Sequence, residues 1–391
     1  MAENAAPLSA ASAPSTNKVS LPELARFFLR VGTTAFGGPA AHIAMMEDLL
    51  VRRRQWLSRE NFLDLLGASN LIPGPSSSEL AIHIGYLLAG WAGLLVAGTC
   101  FILPAAMMVT ALAWAYVHFA KLYEVSAILY GVKPVVIAVI LQALWGLGRT
   151  AVKTTFLGVV GMLSVLLAFL GLHPLLVLAL AGGAACLTSL KTLRLSAAAV
   201  PFAAPAAALA GAATSASLGS LFLVFLKVGA VVFGSGYVLL AFLRADLVVH
   251  RGWVRDSQLV DAAAVGQVTP GPVFSTATFI GYLLGGIRGA VVATVGIFLP
   301  AFVLVAVSGP LVPRIRKSKI AGAFLDGVNV GSLALMAAVT WELGRASLVG
   351  AVTVLLTVAS LIALLRFRLN SGWLVLIGAI AGLIINGFHL R

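Results

Sequence analysis

Charge is what this sequence has least of. Only 10% of its 391 residues are Asp, Glu, Lys or Arg, where soluble domains carry about 25%. Acids are the scarcer sign, 13 against 26 Lys and Arg. Cysteine is nearly missing too. Cys100 and Cys186 each stand inside an apolar run, which excludes a disulfide framework and leaves two small buried side chains. The six histidines fall at no ligand spacing, and there is no GxxxxGK[ST] loop. Neither a metal-dependent enzyme nor an ATP-driven pump is therefore signalled, and no cofactor is expected. Residues 1–20 lack the basic start and apolar core of a signal peptide and read as a disordered Ala/Ser/Pro-rich tail.

What the chain has instead is apolar length. It is 60% hydrophobic, with a mean hydropathy of +1.04. Residues 93–117, 135–147, 156–172 and 373–385 approach or exceed the roughly 20 apolar residues that span a bilayer. The composition predicts an all-α polytopic membrane protein whose main partner is lipid. A formal charge of +13 would suggest nucleic acid in a soluble protein. Here the positives collect in short loops, where topology explains them, so no nucleic-acid partner is expected.

The chain is also written twice. "FLRVGTTAFGG" (28–38) recurs as "FLKVGAVVFGS" (225–235), an offset at which Trp56 meets Trp253 and Asp64 meets Asp261. Pro73-Gly74-Pro75 meets Pro270-Gly271-Pro272. One residue is then dropped, and "GYLLAGWAGLLVA" (85–97) meets "GYLLGGIRGAVVA" (281–293). This divides the chain into a tail (1–20), a first repeat (21–194), an Ala/Pro-rich linker (195–218) and a second repeat (219–391). Transporter repeats are parallel or inverted. With about five spans per half plus a re-entrant PGP hairpin, the halves are inverted. The arginine-rich loops at 52–59, 149–153, 191–194, 314–319 and 366–368 then share one side, the cytoplasm by the positive-inside rule. The paired loops diverge accordingly: "VRRRQW" is rich in arginine, while "VVHRGW" is poorer.

Breaks at matching places in two halves are the strongest sequence pointer to a transporter site. Each half has a glycine cluster (Phe36-Gly37-Gly38-Pro39; Phe233-Gly234-Ser235-Gly236), then a short helix (about 58–69; 255–266), then PGP. Irregular backbone at membrane depth survives only where protein or a wet cavity satisfies it. A helix starting just after PGP offers free N–H groups and a positive dipole end to an anion, with Ser76, Ser77 and Ser78 adding hydroxyls. The alternative is a tight hairpin with the serines as caps. Charges inside spans are functional candidates by default. Arg30 and Lys227 are equivalent and could together neutralise a dianion, or each could snorkel at a helix end. Lys133 is a further anion contact. Glu79 and His83 are proton-coupling candidates, with helix capping and ordinary burial as the alternatives, and His42 lies beside the first break. Asp64 and Asp261 suit a structural role.

The run from "VGTTAFGGP" through "RRRQWL" and "IPGPSSSE" to "IGY" (31–86) strongly resembles the first-half signature of the chromate ion transporter family, and "FGSGY…TPGPVFST…IGY" (233–282) its second-half signature. The likeness covers about residues 20–390 and matches the long, bidomain members, whose halves are thought to be inverted homologues. The resemblance implies secondary export of chromate from the bacterial cytoplasm across the inner membrane, conferring resistance, with sulfate as a structural analogue and competitor. A sulfate or other oxyanion transporter and an anion channel are the alternatives. The matching motif positions are Phe36, Gly37, Gly38, Pro39, His42, Arg53, Trp56, Pro73, Gly74 and Pro75, then Phe233, Gly234, Gly236, Pro270, Gly271 and Pro272. The second half departs at Ser235 and has no Pro39 equivalent. The sequence allows a homodimer.

Overall fold

The computed structural model describes residues 19–36, 38–119, 123–192, 216–233, 236–308, 318–367, 369 and 371–388. Apart from Val19, Ser20 and residues 216–218, the expected tail and linker lie outside the described residues. So do Gly37, Gly234 and Ser235. Regular structure among the described residues is helical.

The first half opens with α1 (Leu21–Thr34), which stops where Ala35 turns extended (φ −84°, ψ 98°). The chain restarts as α2 (Gly38–Glu47), continued by a wide π turn, Asp48–Arg53. α3 (Arg59–Ser69) is capped by the Ser58 hydroxyl, which accepts from the Asn61 N–H at 3.1 Å. After PGP come α4 (Ser76–Phe119), α5 (Tyr123–Ala151), α6 (Thr155–Phe169) and α7 (Pro174–Thr192). The second half repeats that order. α8 (Leu218–Val231) ends at an extended Val232, and α9 (Leu239–Leu243) leads into a π turn (Arg244–His250). Then come α10 (Asp256–Val268), α11 (Thr276–Ser308), α12 (Lys319–Ser347), α13 (Ala351–Phe367) and α14 (Ser371–Phe388).

α4 is two helices, not one rod. At Ala89 (φ −143°, ψ 21°) and Gly90 (φ 61°, ψ −148°) the backbone reverses, bringing Gly85 against the Gly93 carbonyl and Ala97. Gly285 and Gly286 (φ 60°, ψ −149°) do the same in α11, with Gly281 against Gly289. Only glycine takes such positive φ without penalty, and small residues on both arms let the backbones touch. A short arm (76–88, 276–284) thus folds onto a long one (91–119, 287–308). At 1.5 Å per residue the long arms reach about 43 and 33 Å, enough for a hydrocarbon core of about 30 Å.

Among the described residues, four helical stretches are long and apolar enough to cross a bilayer: Ser76–Phe119, Val125–Ala151, Val273–Ser308 and Ile320–Ser347. Large apolar side chains such as Trp91, Met107, Trp145, Met162, Leu355 and Trp373 stay exposed. In water that would be a liability; in lipid it is the expected outer surface. The protein is a multi-pass membrane protein.

The halves trade helices. α5 of the first packs on α14 of the second, with Gly131 against Gly378 and Gly382; α12 packs on α7, with Gly327 against Ala181 and Ala185. At the centre the long arms of α4 and α11 meet. Gly98 takes the Phe302 ring, while Leu94 shares an apolar cluster with Val305.

Candidate functional site

The two PGP turns are cross-bonded. Gly74 N–H donates to the Val232 carbonyl at 2.7 Å, and Gly271 N–H donates to the Ala35 carbonyl at 3.1 Å. Ala35 and Val232 are equivalent residues, each the first after its half's opening helix. Each turn therefore satisfies the loose end of the other half's first helix, the kind of protein partner that irregular backbone inside a membrane protein needs. Both glycines have positive φ (139° and 96°) and lie close to the opposite long arm. A Cβ on Gly271 would stand 2.7 Å from that of Ala105, and one on Gly74 would be 3.8 Å from Ala301 and collide with Glu79.

A polar chain runs from this crossing into the first half. His42, buried on α2, places Nε2 3.1 Å from the Ala35 carbonyl and Nδ1 3.2 Å from Ser77 Oγ. With Nε2–H donating to the carbonyl, Nδ1 accepts from the serine hydroxyl. Phe101 meets the imidazole edge-on at 5.5 Å. Ser77 lies in the first turn of α4, where Pro75 O accepts from the N–H groups of Ser78 and Glu79 at 2.8 and 3.0 Å. Glu79 is fully buried, and neither carboxyl oxygen has a hydrogen-bond partner. One turn on, His83 is 5% exposed with Nε2 likewise unpartnered, as is Ser78 Oγ. Buried polar atoms are nearly always bonded, so this unbonded cluster singles the place out as a candidate site.

The second half does not copy that chain. Leu239 stands where the first half has His42, and Phe274, Ser275 and Phe279 replace Ser78, Glu79 and His83. Ser275 Oγ is unpartnered, Thr276 Oγ1 donates to the Val273 carbonyl at 2.8 Å, and the helix after PGP starts through a 3-10 turn, Val273–Ser275. Tyr237 Oη donates to Gln267 Oε1 at 3.3 Å and reaches across to the start of α2, 3.6 Å from where a Gly38 Cβ would be.

The crossing brings together Gly38, His42, Gly74, Ser77, Glu79, His83 and Gly271. Pro75, Gly236, Pro270 and Pro272 are buried, Pro39, Pro73, Ser76 and Phe233 half-buried, and Phe36 exposed. The basic candidates do not converge. Arg30 is exposed on α1. Lys227 lies 2.6 Å from Asp246. Lys133 lies 3.0 Å from Asp261 of the other half, whose second oxygen accepts from Tyr116 Oη at 2.9 Å. Sequence reasoning missed Asp246 and Tyr116. Asp246, an acid two residues after Arg244 in a mostly apolar run, was there to be flagged.

The chromate transporter family pattern matches this chain twice, over residues 22–187 and 219–383. A probable chromate transport protein of Synechococcus elongatus is 33% identical over 375 residues, covering 93% of this chain and 95% of that protein. The chromate transport protein of Cupriavidus metallidurans is 33% identical over 367 residues, 92% of each chain. An uncharacterized transporter of Bacillus subtilis is 29% identical over 126 residues, covering 32% of this chain and 71% of that shorter one. No solved structure matches.

Proposed function

This chain belongs to the chromate transporter family, and from that premise we propose that it exports chromate from the bacterial cytoplasm as a secondary transporter and so confers resistance. The observation that carries the reading is the crossing of the two PGP turns, where cross-bonded backbone surrounds buried polar groups that lack partners. The repeated order of broken helices and the packing of the equivalent long arms on each other fit inverted halves, each with about five spans and a re-entrant hairpin, in the bacterial inner membrane. Substrate would bind between the halves, in reach of the first turn of α4, the Ser77 hydroxyl and the start of α2. Such helix starts favour an oxyanion. The polar lining is heavier in the first half, so that half would make most of the polar contacts. Glu79 and His83 would exchange a proton with the site during the cycle.

Direction follows from charge. Moving one charge through 100 mV is worth about 2.3 kcal/mol, hence about 4.6 for a dianion, so export from a negative interior is downhill. The test is chromate flux into inverted vesicles under imposed potential and pH gradients, with sulfate as competitor. Flux that ignores both gradients sinks secondary transport. Sulfate moving in preference to chromate changes the cargo, and conductance without saturation makes the protein a channel.

A further inference from the structure

The two halves share a plan but not an environment. Leu63, Asp64 and Asn70, on or just after α3, are exposed; their equivalents Val260, Asp261 and Gln267, in α10, are buried. α3 packs chiefly on α4, whereas α10 is enclosed by α5, α11, α12 and α14. Equivalent elements in different surroundings are what a two-state carrier shows when caught on one side. α3 stands at the margin of the bundle against α4, and α10 is sealed into it.

The sealed side carries a fastening built from both halves. Asp261, 3% exposed, is held by Lys133 Nζ at 3.0 Å and Tyr116 Oη at 2.9 Å, both from the other half. At the equivalent place in the first half Asp64 is exposed, and the residue matching Lys133 is Asn329, which carries no charge. Because its members come from both halves, the fastening must part whenever α10 leaves α5. Leaving any of its members behind in a buried setting would be costly, so the three separate together or not at all.

We propose that Lys133, Asp261 and Tyr116 form the gate lock of the α10 side. In this structure that side is closed and the α3 side is open, and transport exchanges the two arrangements. This rests on the transporter reading above. It also gives Lys133 a role that does not require it to touch the anion.

The test uses the full-length protein in vesicles of both orientations, with Cys100 and Cys186 changed to Ser. One cysteine is placed at Asn70 and, separately, one at Ala264, which is buried on α10. A membrane-impermeant maleimide should label Asn70→Cys from one face and leave Ala264→Cys protected. With Lys133→Met and Asp261→Leu together, Ala264→Cys should label at least tenfold faster, from the opposite face. The swapped pair, Lys133→Asp with Asp261→Lys, should restore protection. If the neutral pair does not assemble, Tyr116→Phe removes one hydroxyl and should give the same change at smaller size. Ala264→Cys labelling as readily as Asn70→Cys in the native background, or staying protected once the lock is gone, overturns the proposal. Chromate flux through the same vesicles separates the two readings. Protection that responds to the lock without any chromate flux leaves the gate and removes the cargo, while flux without protection removes only the gate.

Discussion

Replacing Gly271 by alanine should damage the protein more than the same change at Gly90 or Gly146, and the structure says by how much. Gly271 sits at φ 96°, where an L side chain costs about 1–2 kcal/mol. Its new Cβ would stand 2.7 Å from Ala105 Cβ and 3.4 Å from the Gly32 carbonyl, and overpacking of that kind costs about 1–3 kcal/mol. The sum is about 2–5 kcal/mol. Relief would push the turn away from Ala35 and lengthen its cross-bond. Two controls separate the contributions. Gly90 has a similar positive φ but nothing within 4 Å, so Gly90→Ala should cost only the first, about 1–2 kcal/mol. Gly146, in α5, also has nothing within 4 Å and no positive φ, so Gly146→Ala should be neutral or stabilising by about 0.5–1 kcal/mol. Loss of monodisperse protein on heating in detergent ranks the three, and chromate flux should fall at least tenfold in Gly271→Ala alone. If Gly271→Ala is no less stable than Gly90→Ala, the turn is not packed against the opposite arm, and the crossing cannot be the site.

Lys227→Met should destabilise by about 3–5 kcal/mol, because it strands a nearly buried Asp246, and Lys227→Met with Asp246→Leu should recover most of that; thermal stability of both variants checks it. Arg30→Gln, at an exposed position, should change stability by less than about 0.5 kcal/mol, and a variant with Arg30→Gln and Lys227→Gln that keeps full chromate resistance would remove both as anion contacts. Glu79→Gln should leave the fold intact, since the carboxyl has no hydrogen-bond partner to lose, while making chromate flux insensitive to an imposed pH gradient at constant potential.

The breaks were legible in the sequence because proline and glycine act locally. PGP ends α3, the Phe36–Pro39 cluster separates α1 from α2, and both recur in the second half, so their places could be read before any packing was known. A short helix from PGP to the GY pair and a span starting near residue 93 were also legible, but the sharp backbone reversal at Ala89 and Gly90 that joins them was not. The signal lay in the small residues Gly85, Gly93 and Ala97 placed around it, which permit close arms without requiring them. Charge partners were the least legible. Lys133 and Asp261 are far apart in sequence and meet only because α10 packs on α5. Lys227 and Asp246 meet only because α8 and the π turn after α9 fold together. Both lysines looked free for an anion because a sequence shows where a charge is and not what faces it. The chain His42–Ser77–Ala35 was half visible: the histidine and serine stood near the breaks, but the carbonyl that joins them to the other half did not.

The exchange of helices between halves has a consequence for how the protein is made. Gly131 on α5 and Ala181 on α7 are covered by Gly378 on α14 and Gly327 on α12, which a ribosome delivers much later. The first half, once inserted, must wait with two of its closest-fitting surfaces facing lipid, and a lipid chain cannot enter notches shaped for another backbone. Assembly therefore finishes from the far end: until α14 arrives, α5 has no permanent neighbour on that face, and the earlier half is a template held open for the later one.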